Sequence, residues 1–112
     1  MNHVFAGVPV TDLQVGLAWW ERLLGRPPDM RPNDDEACWQ LTESGWIYVV
    51  RDADRAGKGL LTVLVDDLDA DLAGIAARGI AVGEVTEIPG VRRTELTDPD
   101  GNRVQFGQPQ QA

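Results

Sequence analysis

The sequence predicts an α+β fold assembled from two similar halves, and three observations support it. The chain overlies itself at an offset of 55 residues, setting VPVTDLQVGLA (Val8 to Ala18) against VLVDDLDADLA (Val63 to Ala73). The two segments are identical at Val8/Val63, Val10/Val65, Asp12/Asp67, Leu13/Leu68, Leu17/Leu72 and Ala18/Ala73. Each passes from an apolar, strand-like run through an acidic residue into a helical pattern. Each is followed by β-forming stretches broken by turn residues.

Taken in order, the first strand leads to Thr11 and Asp12, either of which can cap a helix. Leu13, Leu17, Trp20 and Leu24 then recur at helical spacing up to Gly25, ahead of Pro27 and Pro28. ACWQLT and GWIYVV flank Glu43-Ser44-Gly45 and read as a hairpin. RDADRAGKG (Arg51 to Gly59) is a polar connector. The second half repeats the plan. Asp66 or Asp67 caps a helix striped by Leu68, Leu72 and Ile75 or Ala76 and closed by Gly79, and VRRTELT and NRVQFG form a hairpin around Asp98-Pro99-Asp100-Gly101. The order is strand, helix, then two or three strands, performed twice, in two sheets or one split sheet. It defines a single domain over 1–108 with repeats at about 3–51 and 58–108, and a polar tail at 109–112.

The chain has 112 residues, a length suited to one domain that buries roughly two thirds of its unfolded surface. Ten Lys and Arg against 18 Asp and Glu give a net charge of −8, which repels a phosphate backbone or an anionic bilayer. No nucleic acid and no membrane is therefore expected as a partner. There is no apolar run of about 18 residues, and MNHVFAGVPV reaches Thr11 and Asp12 without a basic leader segment, so a cytoplasmic location is expected. Cys38 is the only cysteine, which excludes an intrachain disulfide and suggests a buried bystander thiol. His3 is the only histidine, whereas most protein sites for Zn, Ni or Fe(II) use two or more His or Cys ligands. GxSxG, GxGxxG and phosphate-loop patterns do not occur, which counts against nucleophilic hydrolysis and dinucleotide binding.

WWERLLG (Trp19 to Gly25), VDDLD (Val65 to Asp69) and DPDGNRVQF (Asp98 to Phe106), on a twice-performed βαβββ order, resemble the vicinal oxygen chelate superfamily over about residues 3–108. That group includes glyoxalase I, extradiol dioxygenases, fosfomycin-resistance enzymes and the bleomycin-resistance proteins. The resemblance implies a curved, cup-shaped mixed sheet with helices on its convex side, the glyoxalase/bleomycin resistance fold. It also implies four metal-ligand positions in metal-dependent members, which map by motif onto Phe5, Tyr48 (or its immediate neighbourhood), Leu60 and Gln105. Phe5 and Leu60 are related by the internal offset. Phe and Leu have no lone pair, and Tyr and Gln are weak neutral donors. No glyoxalase I or dioxygenase metal site, and no cofactor, is expected.

Within that cup, alternation sets Trp46 and Tyr48 opposite Ile47 and Val49, Arg93 and Glu95 opposite Thr94 and Leu96, and Arg103 and Gln105 opposite Val104 and Phe106. The expected ligand-binding residues are Phe5, Trp46, Tyr48, Leu60, Arg93, Glu95, Arg103 and Gln105, apolar walls with a few polar groups as a small-molecule site has. Trp19 and Trp20 are expected as core or interface residues, and Trp39 on the helix-packed face. Three functions fit: a metal-free dimer that sequesters or carries a small organic molecule; a cofactorless isomerase- or lyase-type enzyme with Glu95 as acid or base and Arg93 or Arg103 holding an oxyanion; and a non-catalytic regulatory or subunit module. The acidic surface favours cationic ligands. Open sheet edges favour a homodimer.

Overall fold

The structure, a computed structural model, describes residues 1–110. Its first half runs β1 (Val4–Val10), α1 (Leu13–Leu24), β2 (Glu36–Gln40) and β3 (Gly45–Arg51). The second runs β4 (Leu60–Leu64), α2 (Leu68–Ala77), β5 (Thr86–Ile88), β6 (Val91–Thr97) and β7 (Arg103–Pro109). The strands form two sheets, ordered β1-β3-β2 and β4-β7-β6-β5. In each, the opening strand lies parallel to the last one, which pairs antiparallel with its hairpin neighbour. The repeat in the sequence is thus a repeat of topology.

The matched acids do the same work in both halves. Asp12 and Asp67 cap α1 and α2, accepting the N–H groups of Val15 and Ala70 at 3.2 and 3.1 Å. α1 stops at Gly25, whose φ of 77° is open to glycine at no steric cost. The buried stripe of α1 is rotated from the one its leucines suggest. Leu13 and Trp20 are buried, but Leu17 and Leu24 lie half-exposed while Gly16, Trp19 and Leu23 are buried in their place. Close approach to β1 explains this: a Cβ on Gly16 would stand 3.0 Å from Cγ1 of Val10, so the face carrying that glycine is the one pressed on the sheet.

The two halves differ in their third strand. In the second, β5 pairs with β6 over three residues; in the first, the equivalent segment makes a single bridge between Met30 and Cys38. Pro27, Pro28 and Pro32 surround that bridge and have no N–H to donate to a ladder. Asp29 secures the segment instead. Its carboxylate pairs with Arg26 and accepts the N–H of Gln40 at 2.7 Å, and these donors, Arg26 foremost, hold its pKa below the usual carboxylate range.

One apolar core runs through both halves, from Val8, Trp20 and Trp39 to Leu68, Val104 and Phe106. The Asp98–Asn102 turn joins them by polar contacts. Asp98 is buried; one carboxylate oxygen accepts the N–H groups of Asp100 and Asn102, and the other accepts Trp20 Nε1–H at 3.1 Å and the Asn102 amide at 2.9 Å. The Asn102 amide also donates to the Pro9 carbonyl at 2.6 Å, and its oxygen accepts Gly59 N–H at 2.7 Å. Thr11 donates to Asp100 through both backbone and hydroxyl.

β7 continues to Pro109, opposite Val91, and Gln110 N–H donates to the Gly90 carbonyl. Ordered strand therefore enters the segment expected to be a polar tail, of which residues 111 and 112 lie outside the described residues. Among the described residues no helix is long and apolar enough to cross a membrane.

Candidate functional site

Each sheet turns one set of alternate residues toward the core and leaves the other set open. In the first sheet Ile47 and Val49 are buried, and Trp46 and Tyr48 point the opposite way. Phe5 lies beside Trp46 in the β1–β3 register, and the two rings stack with centroids 5.3 Å apart and planes at 19°. Gly7 lies beside Tyr48, whose phenol leans over it: a Cβ at Gly7 would come within 2.8 Å of Tyr48 Cζ. Glycine is what lets the tyrosine cross β1 at that point. Cys38 shares the Tyr48 face from β2 and is buried; burial first, and the Glu36 carboxylate second, push its thiol pKa up. Trp39 faces the core, with Nε1–H donating to the Arg26 carbonyl at 3.0 Å.

The second sheet carries the polar part. Thr94, Leu96, Val104 and Phe106 are buried, which sends Arg93, Glu95, Arg103 and Gln105 to the open face. Glu95 stands opposite Gln105, and its carboxylate lies 3.8 Å from the Arg103 guanidinium. Arg93, Glu95 and Gln105 line an open cavity of about 330 Å³, together with Thr94 and with Gly83, Glu84 and Thr86 from the segment leading into β5. Arg92, the neighbour of Arg93, points to the other face, where Asp69 of α2 at 3.2 Å and Glu87 at 3.5 Å hold it; the Asp69 hydrogen bond is the main cause of its raised pKa.

The eight residues singled out in the sequence therefore fall into groups. Phe5, Trp46 and Tyr48 form an aromatic face on the first sheet. Arg93, Glu95 and Gln105 share the cavity on the second, whose lining includes no residue of the first sheet. Arg103 reaches this group through Glu95, and it borders a narrow cleft with Trp20 and Asn102. Leu60 stands on the exposed edge strand β4, beside an opening it shares with Gly7, Pro9, Arg55 and Lys58. Glu84 and Thr86 were not anticipated. Their only signal is a three-residue strand behind Gly83, too short for alternation to register.

The four positions that the resemblance assigns to metal ligands do not come together as a donor set. Phe5 and Leu60 bring hydrocarbon, Tyr48 lies against Gly7, and the register neighbours of Gln105 are Thr62 and Glu95. One carboxylate beside one amide does not fit a transition-metal ion, which asks for several nitrogen, sulfur or oxygen ligands around one point. Among the described residues no three His, Cys, Asp or Glu side chains gather as a metal-binding group. His3 precedes β1 and is exposed.

Comparison with known proteins gives a consistent picture. The family model described as Glyoxalase/Bleomycin resistance protein/Dioxygenase superfamily matches residues 1–106. A crystal structure of a glyoxalase/bleomycin resistance protein from Catenulispora acidiphila is 39% identical, with a TM-score of 0.91 over 96% of this chain and 98% of that one. TnmS3, an antibiotic binding protein from Streptomyces sp. CB03234, is 25% identical, with a TM-score of 0.79 over 98% of each chain. A lactoylglutathione lyase from Agrobacterium tumefaciens, at 18% identity and a TM-score of 0.75 over 94% of this chain and 91% of that one, shares the fold. None of the curated proteins matches the chain.

Proposed function

The chain belongs to the Glyoxalase/Bleomycin resistance protein/Dioxygenase superfamily, and on that footing we propose that it is a metal-independent binding protein for a small organic molecule, acting as a homodimer. The observation that carries this reading is the division of the open sheet faces into a stacked aromatic surface and a polar cavity, with Phe5 and Leu60 contributing only hydrocarbon at two of the four positions that the resemblance assigns to metal ligands. Aromatic surface supplies most of the contact energy for a flat organic ligand, and a few fixed polar groups orient it. The likeness to an antibiotic binding protein over nearly the whole of both chains supports the same class of ligand. The homodimer draws support from β1 and β4. Both are edge strands, and they carry the exposed apolar side chains of Val4, Phe5, Leu60 and Leu64. An apolar groove of about 300 Å³ between the sheets, lined by Ala6, Ile47, Leu61 and Val63 among others, adjoins these edges.

A second reading, an enzyme using Glu95 as its acid or base, draws on the shared cavity of Glu95 and Arg93. It is less favoured, because the Glu95 carboxylate is exposed to solvent and already paired with Arg103 at 3.8 Å, so it is neither shielded from water nor free to take a substrate proton.

Native mass spectrometry of protein purified without added metal tests the proposal, since one spectrum reports dimer mass, retained organic ligand and bound metal. A dimer free of stoichiometric metal is expected. Trp46→Ala should weaken a bound aromatic ligand by about 1–3 kcal/mol while leaving the fold intact, the loss typical of an aromatic anchor. Tightly held metal at one per chain would overturn metal independence. Failure of a broad small-molecule library to shift the melting temperature or the tryptophan fluorescence would transfer the assignment to a protein-interaction module.

A further inference from the structure

Arg93 stands apart from the other arginines. The chain has nine, and eight of them form an ion pair with a carboxylate or donate to a backbone carbonyl. Among the described residues Arg93 has neither kind of partner, although it is half-buried and lines the cavity on the second sheet. A guanidinium carries five N–H donors and no acceptor, so partial removal from water without a partner leaves donors aimed at whatever enters the space. The carboxylates close by do not meet this demand. Glu95 shares the Arg93 face of β6 but lies 3.8 Å from Arg103 on the neighbouring strand. Glu84 lines the cavity, and what it contributes to the hydrogen bonding there is its backbone carbonyl, which accepts the Thr94 hydroxyl at 2.9 Å. Thr86, opposite Arg93 on β5, and Gln105 add neutral polar groups.

We propose that this cavity selects a small organic anion, a molecule whose carboxylate or phenolate oxygen is held by Arg93. The inference rests on the small-molecule reading and deepens it by naming the charge of the ligand. It runs against the sign suggested by the net charge of −8. Net charge acts at long range and is screened beyond about 8 Å at physiological ionic strength, whereas a guanidinium meeting an oxyanion acts at contact, through short charge-assisted hydrogen bonds. The local arrangement therefore decides which ligand is retained.

Three probes of one shape separate the possibilities: 2-naphthoate, 2-naphthalenemethanol and 2-naphthylmethylammonium, titrated against the full chain near physiological ionic strength and followed by ligand-observed NMR. The naphthoate is expected to bind at least about tenfold more tightly than the alcohol and the ammonium. Arg93→Gln should abolish that ratio, bringing the naphthoate down to the affinity of the alcohol measured in the same variant. Arg93→Lys, which keeps the charge but loses the fork, should retain part of it. Equal or tighter binding of the ammonium, or an anion preference that survives in Arg93→Gln, would overturn the inference while leaving the small-molecule reading in place. If none of the three probes binds, the charge assignment falls, while the small-molecule reading stands or falls separately with the broad library.

Discussion

Cys38 and Trp39 show how much a single step along a strand decides. They are adjacent on β2 and both buried, yet one lies under Tyr48 on the open side of the sheet and the other fills the core. The cysteine faces the candidate site but is not a reactive group within it, because loss of hydration disfavours the thiolate and Glu36 adds to the effect. Alkylation of the native protein by iodoacetamide should therefore be slow at neutral pH and set in only at a pH above that needed for a free cysteine peptide. Unfolding in denaturant should restore the ordinary rate. Rapid labelling of the native protein at pH 7 would show that the strand opens or that the thiol is not shielded. The orientation of Trp39 was legible in the sequence from Leu41, two residues on and on the same face of the strand. That Tyr48 needs Gly7 beneath it was not, because the requirement arises across two strands far apart in sequence and leaves no trace in either one.

At the level of elements, the duplication made most of the fold legible. One offset placed two opening strands and two capped helices, because matched Asp and Leu residues meet the same local demands in both halves, and β-forming runs around turn residues placed the two hairpins. The rotation of α1 about its axis was not legible, since a helix with more apolar positions than it can bury chooses its face by how closely it approaches the sheet, here through Gly16. β5 escaped as well, being too short for a period-two pattern. The DPDGN turn carries more than its turn chemistry suggests. Its Asp98 satisfies two backbone N–H groups, the Trp20 indole and the Asn102 amide in a buried position. Asp98→Ala would leave those donors unpaired and should lower stability by about 3 kcal/mol, read as a shift of the denaturation midpoint in urea. Asp98→Asn should also destabilise, because an amide turned toward Trp20 and Asn102 opposes donor to donor. A midpoint unchanged by either substitution would show that water replaces the carboxylate without penalty.

At the level of the molecule, the two halves share one core and one polar joint but leave β1 and β4 as sheet edges with exposed apolar side chains. If these edges form the dimer contact, Leu60→Glu, which leaves the core untouched, should shift light-scattering mass toward the monomer at about 50 μM, while far-UV circular dichroism stays unchanged; a wild-type monomer at that concentration would remove the dimer from the proposal. The same strands that build the core also present the site, and they divide these duties by alternate residues: Ile47, Val49, Leu96 and Val104 hold the fold, while Trp46, Tyr48, Glu95 and Gln105 face outward. Selection can therefore act on ligand choice and on folding almost independently. A lineage carrying this architecture can exchange one outward side chain for another, acquire a new ligand, and pass on a protein that still folds, which is the freedom that duplication of a half-domain followed by unequal divergence of its two copies would exploit.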